Sequence, residues 1–545
     1  MKTDKKQFSE PTTNNKAEAK NDSQPPKTPP TPIPIELANV VKNENEYLEY
    51  LVWKGADDRY GYDLGEEIKG RITYELNVIK KKGVAAYFLM FWNIVRAARE
   101  ELGVLVGPGR GRTPGSIVAY CLRITDIDPI RYGLSFERFY STQSKGLPDI
   151  AIDVESEGRH KVITWLKNFY GEKCVAHIIA QGTTGLKYTM ADLQRMERMP
   201  IETYNAIQYA IKHRIPETER HVSIDANRIV IATEDISNIV PICEVNDKTS
   251  GKNVLAAQCD ASTIEEAGLV MINILGLNVL SVIRSCVSRI KKTTGKEIDI
   301  NAIPLDDQPT LKIFNEGNTI GVFLFESTGM RMKLRKLKTL SFNDLVAAET
   351  LYRPGTMGLF GRLIDRINGE EKISYLLPEM EQCMGSTYGL TIYQEQIIQL
   401  SQILAGFTPG ESAVLIRAIC FRKKDILDWL EIQFMDGGMK KGHPQDILRK
   451  IWNEWKAEGN HLFYKSHSTC YTLMAFQTAY LKAHYLAEYM EILVNQARDD
   501  EARMKELIAD CQANGLVVED ETAKVKIGDG IVVNIDRKKV RKSNQ

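Results

Sequence analysis

The chain holds 545 residues, 43% hydrophobic and 26% charged, with 71 Lys+Arg set against 71 Asp+Glu. At roughly 150 residues per domain this length implies about three or four domains, with enough apolar content for real cores. The balanced charge excludes a histone-like or polybasic binder, although a basic groove offset by acids elsewhere still permits nucleic-acid contact.

Residues 1–42 are poor in apolar side chains until Ile33 and place six prolines between Pro25 and Pro34. Such a segment buries too little to offset its ordering entropy, so a disordered leader with local polyproline II structure is expected. From Glu46 to about Leu102 apolar residues recur at helical spacing, as in Tyr47, Leu48, Leu51 and Val52 and again in Ile72, Leu76, Val78 and Ile79. The longest apolar run, residues 84–92, is well short of the ~18–20 a membrane helix needs. No signal-peptide core follows Lys2, Asp4, Lys5 and Lys6, so a cytoplasmic protein without a membrane span is expected. Nine cysteines lie singly between Cys121 and Cys511 without a CxxC or CxH pair, which indicates neither a zinc cage nor a disulfide framework.

A glycine-rich segment, residues 106–116, comes next. Short strand signals follow at 150–154, 228–232 and about 269–274. From about residue 309 the pattern is mainly helical, ending in a long apolar and aromatic helix expected over about 468–494. The sequence closes on Arg537-Lys-Lys-Val-Arg-Lys542, a basic tail that reads as a solvated terminus or as a nucleic-acid contact.

Several local patterns have chemical uses. In Val106-Gly-Pro-Gly-Arg-Gly-Arg-Thr-Pro-Gly-Ser116 the exposed N–H groups, two arginines and Ser116 suit a phosphate chain, but the ending is not that of a P-loop and a plain turn remains open. Along Pro148-Asp-Ile-Ala-Ile-Asp-Val154, Asp149, Ala151 and Asp153 share one strand face while Ile150, Ile152 and Val154 share the other. Carboxylates two residues apart on a strand can converge on a metal pair, yet the middle position here is alanine. Asp149 and Asp153 are about 13 Å apart at ~3.3 Å per residue, too far to share one metal centre. Lys465, Ser466 and His467, at the start of the long helix, would grip an anion, with an N-cap role as the local alternative. The run from Arg331 to Lys338 reads as a phosphate-tracking strip or as a solvated helix face.

In order along the chain stand GVAAYFLMFWNIV (83–95), VGPGRG, GSIVAYCLRITDIDPIRYGLSFERF (115–139), LPDIAID (147–153), ILGL (274–277), FESTGM (325–330), LYRPGTMG (351–358), YGLTIYQEQ (388–396) and KSHSTCYTLMAFQTAYLKAHYLAEYM (465–490). Together they resemble the catalytic core of the bacterial C-family DNA polymerases, the DNA polymerase III alpha subunit family, from about residue 45 to about 515. The resemblance implies an α/β palm of the polymerase-beta-like nucleotidyltransferase type, with a small helical thumb and a large, mainly helical fingers domain. Its boundaries would be a leader at 1–42, palm at 43–180 and 223–280, a reduced thumb at 181–222, fingers at 281–515 and a tail at 516–545. Primer-template DNA and dNTP would be the partners, with replication proteins as further ones and no clamp-binding region evident. Arg110, Gly111, Gly115 and Ser116 would face the triphosphate; Arg353, Arg417, Lys423, Lys465, Ser466 and His467 would approach nucleotide or template.

The family's three metal-binding carboxylates fall on Asp149, Ala151 and Asn273, so only one is retained. Mg²⁺ demands hard anionic oxygens, and its binding at Asp149 alone would be weak. A loss of metal stabilisation on the order of 4–8 kcal/mol slows chemistry by about three to six powers of ten. Other departures cluster in the same pocket: Arg112 for a serine, Thr113-Pro114 for a small pair, Tyr464 for an Asn, Ile416 for an Arg, and Cys420-Phe421 for Gly-Lys. A cut-down architecture is expected as well, without the family's N-terminal phosphoesterase-like domain or its later modules. The leading expectation is a catalytically degenerate polymerase core acting in replication by binding DNA, nucleotide or partners. The alternative is an active DNA-directed DNA polymerase that recruits Asp153 or Glu155 through a shifted register; a third keeps protein contacts only.

Overall fold

The computed structural model describes residues 27–34, 37, 41–182, 221–247, 251–259, 261–338, 340–459, 461–518 and 535–536. Residues 183–220, most of the expected thumb, lie outside the described residues, as does the basic run from Arg537. Part of the leader predicted to be disordered is described: Thr31 is buried and Ile33 and Leu37 pack against the first core. That core surrounds the helix Ala85–Arg96, whose Tyr87, Phe88, Leu89, Met90, Phe91, Ile94 and Val95 are all buried. A helix that is apolar on every side has to be enclosed, and here the neighbours are the helix Glu44–Tyr60 and the sheet.

Six strands form one mixed sheet: β1 (Ala151–Glu155), β2 (Val175–Gly182), β3 (His221–Ile231), β4 (Ile242–Asp247), β5 (Lys252–Ala257) and β6 (Val270–Leu277), in the order β1-β6-β3-β2-β5-β4. β1 runs parallel to β6, and β3 lies antiparallel on the other side of β6. The strand signals at 150–154, 228–232 and 269–274 correspond to β1, the end of β3 and β6. The sequence pattern did not reveal β2, β4 and β5. In β4, at the sheet edge, no residue is fully buried, so alternation there is weak. Ile152, Val154, Ile272 and Ile274 point into the core, which leaves Ala151 and Asn273 on the opposite face.

From Gln308 to Ala513 the described residues are mainly helical, and Val517–Val518 then pairs antiparallel with Ile535–Asp536. One core gathers on the helix Lys465–His484 through Phe314, Phe325, Leu345, Met474 and Phe476. Another surrounds Phe434, Trp452 and Trp455. The helix expected over 468–494 is two helices, Lys465–His484 and Leu486–Gln496, because Tyr485 leaves the helical region at φ −139° and ψ 47°. The break turns Tyr489 into the core, where its hydroxyl donates to the Gly321 carbonyl at 2.7 Å. Among the described residues no helix is long and apolar enough to cross a membrane.

Near the end of the Lys465–His484 helix, buried Lys482 donates to Asp510 at 2.8 Å, the Ile320 carbonyl at 2.9 Å and Asn318 at 3.2 Å. Removing one partner of a buried pair strands the other charge. Lys482→Met is therefore expected to cost ~3–5 kcal/mol in urea unfolding, and adding Asp510→Asn to recover part of that loss. Equal stability of the single variant and the parent would contradict the pair's structural role.

Candidate functional site

The glycine loop leaves the sheet at the free edge of β1. The Gly107 N–H donates to the Asp153 carbonyl at 2.8 Å, the Glu155 N–H to the Leu105 carbonyl at 3.0 Å, and Val106 bridges Val154. A side chain at Gly107 would sit 3.1 Å from the Asp153 Cβ, so glycine permits this close approach. The next turn is held by Asp126, whose N–H donates to the Pro108 carbonyl at 2.8 Å and whose carboxylate pairs with Arg59 and Arg99 at 2.7 and 2.8 Å.

At the tip, Gly111 takes the left-handed conformation, φ 61°. Its N–H donates to His467 Nδ1 at 3.0 Å, and its carbonyl accepts from Ser466 Oγ at 2.8 Å. Behind that helix start, the buried Glu395 carboxylate accepts the N–H groups of Lys465 and Ser466 at 3.0 and 3.4 Å. The Lys465 ammonium reaches the Tyr132 carbonyl at 2.7 Å. Arg353 lies 3.7 Å from the Phe463 ring centroid and pairs with Glu349 at 2.9 Å. Burial, with Arg110 and Arg353 nearby, pushes the His467 pKa down to about 4, so its ring is neutral near pH 7 and free to accept.

Gly115 and Ser116 lie behind the loop. Ser116 is fully buried, and its hydroxyl donates to Glu75 at 2.7 Å. Glu75 also accepts the N–H groups of Ile117 and Val118 at 3.1 and 3.2 Å, and pairs with Arg71 at 2.7 Å. The loop's last hydroxyl and the first two N–H groups of the helix that follows, Ile117–Cys121, thus satisfy an internal carboxylate. A Cβ on Gly115 would meet the Ser135 carbonyl at 2.5 Å, so this glycine serves close packing.

The acids are answered one by one by arginines. Asp149, with 62% of its side chain exposed, pairs with Arg112 at 3.3 Å. Asp153 is fully buried, pairs with Arg110 at 2.8 Å and accepts from the Tyr471 hydroxyl at 3.3 Å. Burial raises the Asp153 pKa, opposed by Arg110. Glu155 is buried, pairs with Arg284 and accepts the Leu105 N–H at 3.2 Å. Asp153 and Glu155, the acids a shifted register was expected to recruit, are thus enclosed and paired.

Ala151 and Asn273 are direct partners across β1 and β6, and Arg228 of β3 is the next neighbour of Asn273. The positions that would frame a metal are therefore together, but their chemistry is not that of a Mg²⁺ cage. Asp149 is held by a guanidinium, Ala151 has no donor atom and Asn273 offers a neutral amide. These residues do not fit the ion, and no group of three or more His, Cys, Asp or Glu converges elsewhere among the described residues.

Arg417 lines a cavity of about 180 Å³ with Arg112, Arg138, Lys145, Glu137 and Asp149, next to the loop. Lys423 is exposed past the end of the helix Pro409–Cys420 and does not line it. Sequence reasoning missed Glu75, Glu395 and Arg138. Glu395 and Arg138 stand inside the quoted YGLTIYQEQ and FERF strings, whereas Glu75, 41 residues before Ser116, gives no local signal.

A model of the bacterial DNA polymerase III alpha NTPase domain matches residues 46–218, and one of the same subunit's finger domain matches 279–442. The chain is similar to DNA polymerase III subunit alpha of Aquifex aeolicus, 34% identical over 539 residues, covering 88% of this chain and 46% of the relative. It is 34% identical to that of Halalkalibacterium halodurans (88% and 45%) and 32% to that of Bacillus subtilis (87% and 45%). The chain thus spans about half the length of the curated relatives it matches.

Between about pH 6.5 and 4 the unfolded chain takes up a proton at His467 that the folded chain refuses, so stability is complete above that window and falls as pH drops through it. Buried His177, also lowered to about 4, acts in the same direction. The urea midpoint of the parent is expected to fall between pH 7 and pH 4.5, with a shallower fall for His467→Gln. Identical slopes would show that His467 titrates normally.

Proposed function

The chain belongs to the family of the bacterial DNA polymerase III alpha subunit, the C-family polymerases, and from that premise we propose that it is a polymerase core without metal-dependent polymerase chemistry, acting by binding. In this reading residues 43–180 and 223–280 make the palm, 181–222 a reduced thumb and 281–515 the fingers. Its ligands are primer-template DNA and a nucleoside triphosphate, with replication proteins as further partners. The observation that carries the reading is the register of β1 against β6, in which Ala151 and Asn273 face each other beside an Asp149 already neutralised by Arg112. The frame of a two-metal site persists while two of its three anionic ligands do not.

The loop–helix contact supports retained binding. Gly111, Ser466 and His467 lock together, and Arg110 and Arg353 both act on His467. A site kept only as packing would not need guanidinium groups gathered around a glycine loop. Against the active alternative stand the buried and paired states of Asp153 and Glu155, either of which would have to leave an arginine to reach a metal.

Primer extension with Mg²⁺ or Mn²⁺ is expected to give no product from the unmodified chain, ~10³-fold or more below an intact family polymerase. Robust extension would overturn the reading. The variant Ala151→Asp/Asn273→Asp/Arg112→Ser is expected to gain Mn²⁺ binding, measured directly by electron paramagnetic resonance. Primer-template binding, followed by fluorescence anisotropy, is expected at low salt and to weaken steeply as salt rises. Its absence at low salt would leave only protein contacts.

A further inference from the structure

The cavity between residues 137–149 and the helix Pro409–Cys420 has an unusual charge inventory. Its wall holds four cations, Arg112, Arg138, Lys145 and Arg417, against two acids, Glu137 and Asp149. Both acids are engaged: the Ser135 and Tyr74 hydroxyls donate to Glu137, and Asp149 pairs with Arg112. Arg417 and Lys145 have no ion pair among the described residues.

Arg138 is the decisive group. Partly buried in the wall, it donates through Nε to the neutral Gln394 Oε1 at 2.6 Å. Glu395, the acid whose charge reaches it, already accepts from the N–H groups of Lys465 and Ser466. Instead of a carboxylate, Arg138 has the Tyr464 ring, 5.2 Å from its guanidinium, and Arg112 lies over the same ring at 5.9 Å. Two guanidinium groups thus share one neutral aromatic ring, an arrangement that offsets only part of their repulsion. Arg112 and Tyr464 are both departures from the family pattern, and here they touch each other. A Mg²⁺ ion entering this wall would meet like charge.

We propose that this cavity binds a phosphate anion of about the size of pyrophosphate directly through Arg112, Arg138 and Arg417, with no divalent metal. Guanidinium forks match phosphate oxygens bidentately, and three of them line one cavity whose two acids are already engaged. The inference rests on the reading of this region as a nucleotide pocket and departs from it in one respect, that arginines carry out the charge neutralisation a metal would otherwise supply. The bound group is either free pyrophosphate or the phosphate chain of a nucleotide.

Isothermal titration calorimetry on the full chain in EDTA separates these sources. Pyrophosphate is expected to bind at one site, dATP to compete with it, and Mg²⁺ to leave the affinity no tighter. Arg417→Gln and Arg112→Ser, each checked for an unchanged thermal midpoint, should weaken pyrophosphate binding by ~10-fold or more, the scale of a lost charge-assisted hydrogen bond. Arg417 stands at the wall with no ion pair, so its replacement is not expected to disturb folding. No binding in EDTA, binding only with Mg²⁺, or unchanged affinity in both variants overturns the inference. If pyrophosphate binds without metal and dATP does not compete, the inference stands and nucleotide binding falls. If dATP binds only with Mg²⁺, nucleotide binding stands and the inference falls.

Discussion

Gly111 donates its N–H to His467 and accepts the Ser466 hydroxyl on its carbonyl, joining a loop that springs from the sheet edge to the first turn of a twenty-residue helix. The contact works only in a left-handed conformation at Gly111 and with a neutral imidazole at His467. The helix Lys465–His484 also carries Met474 and Phe476, which lie with Phe314 in the main helical core, so one helix serves both the loop contact and that core. Burial keeps His467 neutral, and neutrality keeps the loop attached. This junction holds the α/β part against the helical part together with the Ser156 N–H donating to Ser281 Oγ, the Arg284–Glu155 pair and Arg138 donating to Gln394.

Around that junction charge is distributed in a consistent way. Asp153 meets Arg110, Asp149 meets Arg112, Glu155 meets Arg284, and Glu75 meets Arg71. Buried Asp153, Glu155 and Glu75 each have a cation, while buried Glu395 is satisfied by the N–H groups of Lys465 and Ser466, as the cost of an isolated buried charge requires. In the wall holding Arg138 and Arg417 cations outnumber acids, four against two. Here Asp153 and Glu155 are buried and paired, Asp149 is paired with Arg112, and Arg112, Arg138 and Arg417 line the neighbouring cavity. Family membership and this altered chemistry are compatible because the backbone register of β1 and β6 is independent of which side chains stand at 151 and 273.

Much of the site was legible in the chain. Alternation in Pro148-Asp-Ile-Ala-Ile-Asp-Val154 put Asp149, Ala151 and Asp153 on one face, and Ile152 and Val154 are indeed buried opposite them. The Lys465-Ser466-His467 cluster does begin a helix, and Gly111 does meet it. The roles expected for Gly115 and Ser116 were not legible, since a serine after a glycine loop looks the same whether it faces solvent or a buried Glu75. Likewise β4 lacks a buried face to mark it, and no local propensity announces the break at Tyr485 or the burial of Tyr489 after it.

Residue identity alone determined which chemical groups stand at the positions the resemblance points to: a carboxylate at Asp149, none at Ala151 or Asn273, a guanidinium at Arg112 and a tyrosine before Lys465. Periodicity determined that a strand would carry the acids and that helices would dominate the second half, because hydrophobic spacing is a local property. Only the tertiary structure decided that Ala151 and Asn273 are neighbours, that Asp153 and Glu155 are enclosed by Arg110 and Arg284, and that Arg112 and Arg138 share the Tyr464 ring. Pairing and burial depend on contacts between residues from 43 to more than three hundred positions apart, and they decide which of the chain's many charges remain available to a ligand.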